Sequence, residues 1–153
     1  MVAFSPSRRG LGYCVFDTPR TPVDWGCGDY REDKMAQTLK KVGSLLKLYQ
    51  PKIIVLENPD DTANRADHIK DLITAITEVA LKEDVAVRHY SSEEVRQVFP
   101  VANKGKRARD IVKVLPELRA DLPPKRQAWN PQHPRMQVFD AVSLILTYFY
   151  LET

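Results

Sequence analysis

KIIVLE (Lys52–Glu57) is an almost unbroken apolar run of β-branched residues that ends in a carboxylate. Such a run has no polar face to turn to water, so it reads as a strand covered on both sides of a sheet. The chain must therefore supply helices for both faces. It does so on either side of the run. Apolar residues at Met35, Leu39, Val42, Leu45, Leu46 and Tyr49 have helical spacing over Asp33–Tyr49, and Pro51 ends that helix. A second helix is predicted over Asn64–Lys82, with Ile69, Leu72, Ile73, Ile76, Val79 and Ala80 inward.

Three strands precede these elements: Met1–Phe4, Gly12–Asp17 and Val23–Tyr30. A Ser-Pro-Ser-Arg turn joins the first two, and TPRTP (Thr18–Pro22) joins the second to the third. Gly26 and Gly28 mark a bulge or a close backbone approach in the third strand. After the second helix come a strand, Asp84–Tyr90, and a short helix that opens with the capping box Ser91–Glu94. A basic turn then leads into a further helix within NKGKRARDIVKVLPEL, and a Pro-rich loop into the last one, Arg135–Leu151. Strands and helices alternating in this way make a mixed sheet with helices on its faces.

The 153 residues suit one domain, 1–153. With 43% hydrophobic and 28% charged residues the composition is that of a soluble globular protein, and no apolar run has the roughly 20 residues of a membrane span. The N-terminus has no secretory pattern, so a cytoplasmic protein is expected, with Cys14 and Cys27 as reduced, mostly buried thiols. Net charge is only +3, so a polyanionic partner must be argued from where the cations cluster. They form three runs: Arg8 and Arg9; Lys104, Lys106, Arg107 and Arg109; and Lys125, Arg126 and Arg135. Any one run is an ordinary solvated surface, but three brought to one end of a sheet would hold a phosphate backbone. Trp129 is a candidate for stacking on bases, while Trp25 reads as core.

The β-β-β-α-β-α-β-α order is that of the ribonuclease H-like fold, a mixed five-stranded sheet of three antiparallel and then parallel strands flanked by helices. Four stretches make the likeness specific: VAFSPSRRGLGYCVF, KIIVLENP, HYSSEEVRQVFPVANKGKRARDIVKVL and VFDAVSLILTYFY. In order and spacing they resemble the RuvC-type Holliday junction resolvases over nearly the whole chain. The resemblance implies a structure-selective endonuclease for branched or duplex DNA, acting as a homodimer because a four-way junction presents two symmetric strands.

Such hydrolysis is served by two Mg²⁺ (or Mn²⁺) ions about 4 Å apart, held by clustered carboxylates. The resemblance assigns metal and catalytic roles to Glu57 and Asp140, and catalytic roles to Lys104 and, as an unusual third site, to Ser5; the clustering of charge assigns phosphate contacts to Arg8, Arg9, Lys104, Lys106, Arg107, Arg109 and Arg135. Glu57 reads equally as a strand-end charge facing water. Asp140, amid Val138, Phe139 and AVSLILTYF, is an expensive place for an unpaired charge, unless the start of its helix offsets it. Three positions depart from the family pattern: Ser5 stands where a bridging aspartate is expected, Gln137 where an acid or histidine is, and Ser7 where a glycine follows the proline. Asp60 and Asp61 read as turn residues, Asp17 as lying at the far end of its strand, and His133 as the nearest auxiliary group, with His89 behind it. The chain thus reads as an endonuclease impaired at Ser5 and Gln137, or as a non-catalytic module of the same fold that binds nucleic acid or a protein. A nucleotide-binding kinase or actin-like protein shares the topology, but the chain lacks glycine-rich phosphate loops and the length for two such domains.

Overall fold

The computed structural model describes residues 1–61, 67–101, 103–125 and 133–152. Its core is a five-stranded sheet in the order β3-β2-β1-β4-β5. Strand β1 (Val2–Pro6) is central and buried throughout; β2 (Gly10–Thr18) and β3 (Thr21–Asp29) follow it antiparallel, while β4 (Ile53–Glu57) and β5 (Ala86–Tyr90) run parallel to it. This is the expected ribonuclease H-like arrangement, with KIIVLE forming β4.

Side-chain alternation along the strands divides the interior in two. Val2, Phe4, Leu11, Tyr13, Val15, Ile54 and Leu56 pack under α1 (Lys34–Tyr49) and α2 (Asp67–Lys82). Ala3, Cys14, Phe16 and Val55 face α3 (Ser92–Val98), α4 (Lys104–Val114) and α5 (Met136–Glu152). Helix α5 is buried over most of its circumference, as a helix laid along the middle of a sheet must be. Beside Phe16 and Val55, the sheet face beneath it carries the small residues Ala3, Ser5, Gly12 and Cys14. Among the described residues no helix is long and apolar enough to cross a membrane.

Several boundaries differ from expectation. Ser5 lies inside β1, because pairing with β2 continues to Pro6↔Leu11 and the turn is confined to Ser7–Gly10. Strand β5 starts at Ala86, since Asp84 takes a left-handed backbone (φ 59°) in the turn after α2. The ladder irregularities between β2 and β3 fall at Val15–Thr18, opposite Pro22, and not at Gly26 or Gly28. Those glycines instead mark close approach: a Cβ on Gly28 would lie 2.5 Å from the Tyr30 ring, and one on Gly26 2.8 Å from the Tyr13 hydroxyl. Cys27 is exposed on the edge strand, contrary to the expected burial, whereas Cys14 is buried. A 3₁₀ turn, Pro116–Asp121, follows α4, and its Asp121 carboxylate accepts the Trp25 indole N–H at 2.6 Å. The expected first turn of the second helix (64–66), Arg126 and Trp129 lie outside the described residues.

Candidate active site

The carboxyl ends of β1 and β4 bring the first two candidates side by side. The parallel register Val2↔Ile54 and Ala3↔Val55, carried two residues on, sets Ser5 level with Glu57. Both share the face of Ala3 and Val55, which is the face under α5. Ser5 is buried, at 7% exposure, and Glu57 is half-buried.

Gly12, the cross-strand partner of Ser5, fixes where α5 begins. A Cβ there would lie 2.2 Å from the Gln137 carbonyl oxygen and 2.6 Å from its Cβ, so only glycine lets the first turn of α5 rest on β2. Gln137 is thereby placed beside Ser5 and is itself buried. Its side-chain oxygen Oε1 has no hydrogen-bond partner among the described residues. Asp140 follows one turn later, on the same side of the helix as Gln137. Its carboxylate keeps 24% side-chain exposure, and Oδ2 receives the Lys104 ammonium at 3.2 Å.

Helix α4 supplies that ammonium because of how it starts. Asn103 caps it, its side-chain oxygen accepting the Lys106 N–H at 3.2 Å. With this start, Lys104 and Arg107 lie on the partly covered side with buried Ala108 and Ile111, while Lys106 and Arg109 are exposed. The basic run read as one surface is thus split. Arg107 is half-buried, with its Nε unpaired among the described residues. Burial lowers its pKa, the Asp140 charge opposes that, and Arg96 adds to the lowering.

The β1–β2 turn carries Arg8 and Arg9, both exposed, just beyond Ser5. It is tightly held: the Ser7 hydroxyl accepts the N–H groups of Arg9 (3.2 Å) and Gly10 (3.3 Å), and the Lys34 ammonium donates to the Arg8 carbonyl. Lys34 is a cation of this end that the sequence reading missed; its only signal was its position at the first turn of a helix following the third strand. Arg135 is exposed and donates to the Ala120 carbonyl at 3.2 Å; its charge also draws down the Cys27 thiol against the rise from burial, so it sits toward the β3 flank.

Other candidates fall elsewhere. His89 is half-buried on the α2 side of β5, in a 3.1 Å hydrogen bond with Thr77. His133 is exposed before α5, and its Nδ1 accepts the Arg135 N–H. Asp60 is exposed in the 3₁₀ turn Pro59–Asp61, and the charge of Asp17 is felt by the Met1 amino group at the opposite end of β1. Among the described residues, no three of His, Cys, Asp or Glu form a group that could hold a metal ion.

No protein-family model and no curated protein sequence matches the chain. Solved structures do match in shape. Thermus thermophilus RuvC in complex with a Holliday junction substrate superposes with a TM-score of 0.70 at 17% identity, covering 99% of this chain and 95% of that one. A further Thermus thermophilus RuvC structure gives 0.67 at 18% identity, covering 99% and 96%. The Fowlpox virus resolvase in complex with its substrate Holliday junction DNA gives 0.61 at 14%, covering 97% of each chain. At these identities the likeness establishes the ribonuclease H-like fold.

Proposed function

We propose that this chain is a structure-selective endonuclease for branched DNA, of the Holliday junction resolvase type, engaging a four-way junction as a pair of copies. The observation that carries this reading is the placing of Glu57 and of the Gln137–Asp140 turn at one end of such a sheet, beside exposed cations. It is supported by a fold shared, over almost the full length of each chain, with two proteins captured on Holliday junctions.

The donor set fits one hard cation and not the pair that four acidic positions would hold. Glu57 and Asp140 offer carboxylates, Ser5 a hydroxyl and Gln137 a buried, unpartnered amide oxygen. A single Mg²⁺ or Mn²⁺ bound there would supply Lewis-acid polarisation of a phosphoryl oxygen. The remaining work belongs to the chain. Arg8, Arg9, Lys106 and Arg109 hold the backbone by charge, Lys104 offers an ammonium within reach of solvent, and α5 packed on the sheet keeps Asp140 fixed.

The test is cleavage of a labelled four-way junction, with linear duplex as control, in Mg²⁺ and in Mn²⁺. Slow nicking of the junction alone is expected, lost in Glu57→Gln and Asp140→Asn and faster in Ser5→Asp. Cutting that persists in both carboxylate variants, or that ignores branching, would overturn the reading. The Lys104–Asp140 ion pair favours a second one, a module that binds junctions without cutting them; salt-sensitive junction binding with no nicking by any variant would establish it.

A further inference from the structure

The helix that carries Gln137 and Asp140 is started by a histidine. Pro134 opens the coil and has no N–H to satisfy, a position that suits proline. The amides beyond it close a tight turn: the Met136 N–H donates to the His133 carbonyl at 3.0 Å, that of Gln137 to the Pro134 carbonyl at 3.1 Å, and that of Val138 to the Arg135 carbonyl at 3.1 Å. The Arg135 N–H is left without a carbonyl of the coil to reach. The His133 ring takes it, at 3.2 Å on Nδ1. A backbone N–H can only donate, so Nδ1 is the acceptor. His133 is therefore the N-cap of α5 by its carbonyl and by its side chain, in a place where Ser, Thr, Asp and Asn are the usual residues.

The capped turn bears on the site through Gln137. That residue is buried, its backbone rests over Gly12, and its Oε1 has no hydrogen-bond partner among the described residues. From Val138 onward, burial of Val138, Phe139, Ala141 and Val142 holds the helix by packing. The turn before them has less of it: His133 and Arg135 are exposed, and the Arg135 guanidinium reaches the Ala120 carbonyl at 3.2 Å. Gly12 decides where this turn rests, and the cap keeps it wound. We propose that His133 is a positioning residue of the candidate active site: by capping α5 it holds the Gln137 amide beside Ser5, acting through Gln137 and not on the DNA. This rests on the reading of the chain as a junction endonuclease, and it adds how one member of the donor set is held.

The experiment joins amide hydrogen exchange of the full chain, read at residues 135–138, to single-turnover nicking of a four-way DNA junction by saturating protein in Mg²⁺ and in Mn²⁺. His133→Leu removes the acceptor, whereas His133→Asn keeps one on a residue that caps well. In His133→Leu, exchange at 135–138 should quicken about fivefold while β1 and β4 keep the parent rate. Nicking should slow about fivefold, with junction affinity within about twofold of the parent. His133→Asn should restore both. Gln137→Ala should slow nicking by itself, and adding His133→Leu to it should slow nicking no further, because the group the cap acts through has gone. Unchanged exchange in His133→Leu overturns the inference. So does quickened exchange with unchanged nicking, or a slowing that adds to that of Gln137→Ala. Slow nicking in His133→Asn with parent-like exchange also overturns it, since the ring itself would then be the catalytic group. All of these leave the function intact. A parent that cuts no junction overturns the function, and the cap is then judged by exchange alone.

Discussion

At the scale of single residues, the site depends on one position that bears no functional group. Gly12 meets the backbone of Gln137, and backbone cannot swing aside as the end of a side chain can. Gly12→Ala must lift the first turn of α5, shifting Gln137 and Asp140 together. We expect a loss of about 1–3 kcal/mol in urea unfolding, with junction binding altered although no charge changes. A stability loss without any change in binding would mean that α5 adapts and the site does not depend on its seating. His89 gives a pH signature of the fold alone. Burial lowers its pKa below 6.5, with Asp60 partly opposing. The neutral ring is favoured in the folded state, so its contribution is present above 6.5 and lost as pH falls through the lowered folded value. Unfolding midpoints between neutral pH and about pH 5 should therefore fall less in His89→Gln than in the parent. The two carboxylates were legible because each stands out against apolar neighbours. Gly12 was not: GLGY reads as strand, and nothing local tells that a distant helix rests on it. The Lys104–Asp140 pair was equally hidden, since it joins residues from different helices.

At the scale of elements, legibility followed the locality of the signal. The Ser91–Glu94 capping box is complete in the structure, with the Ser91 hydroxyl accepting the Glu94 N–H at 3.1 Å and the Glu94 carboxylate accepting the Ser91 N–H at 3.0 Å. Ser91→Ala should cost about 1 kcal/mol, read by thermal or urea unfolding. An unchanged midpoint would show that tertiary packing alone holds α3. Similarly, α1 ends with Gln50 in a left-handed conformation just before Pro51, where the proline placed its stop. The start of β5 and the 3₁₀ turn after α4 were misread because alternation and proline spacing do not distinguish a strand from the turn before it, or a helix from a tighter coil. Helix α4 is the instructive case. Its sequence is a single basic run, yet the capped start fixes a phase that separates Lys104 and Arg107 from Lys106 and Arg109. Lys106→Gln and Arg109→Gln should each reduce the slope of log K against log salt for junction binding by about 1. No change in slope would remove the exposed side of α4 from the DNA contact.

At the scale of the whole molecule, β1 ties two cores into one. It is hydrogen-bonded to β2 on one edge and β4 on the other, and its side chains alternate between the layer under α5 and the layer under α1 and α2. Neither layer can be lost while the other keeps its sheet, because β1, β2, β4 and β5 each contribute to both. We therefore expect the two layers to unfold as one unit, which is testable by weakening one core at a time. Phe16 is buried on the α5 side and Ile73 on the α2 side. Phe16→Ala and Ile73→Ala should each lower stability by about 3–4 kcal/mol, and in each variant helix circular dichroism and tryptophan fluorescence should still trace one coincident transition. Trp25, which packs against the α5 side, reports directly on only one of the layers. If Ile73→Ala moved the dichroism midpoint and left the fluorescence midpoint in place, the two layers would be separable units. The site would then rest on the α5 layer alone, and loss of α2 packing would leave junction binding unchanged. Coincident transitions would mean instead that every core substitution acts on Glu57 through the sheet and on Asp140 through the helix packed on it, so that stability and site geometry are lost together.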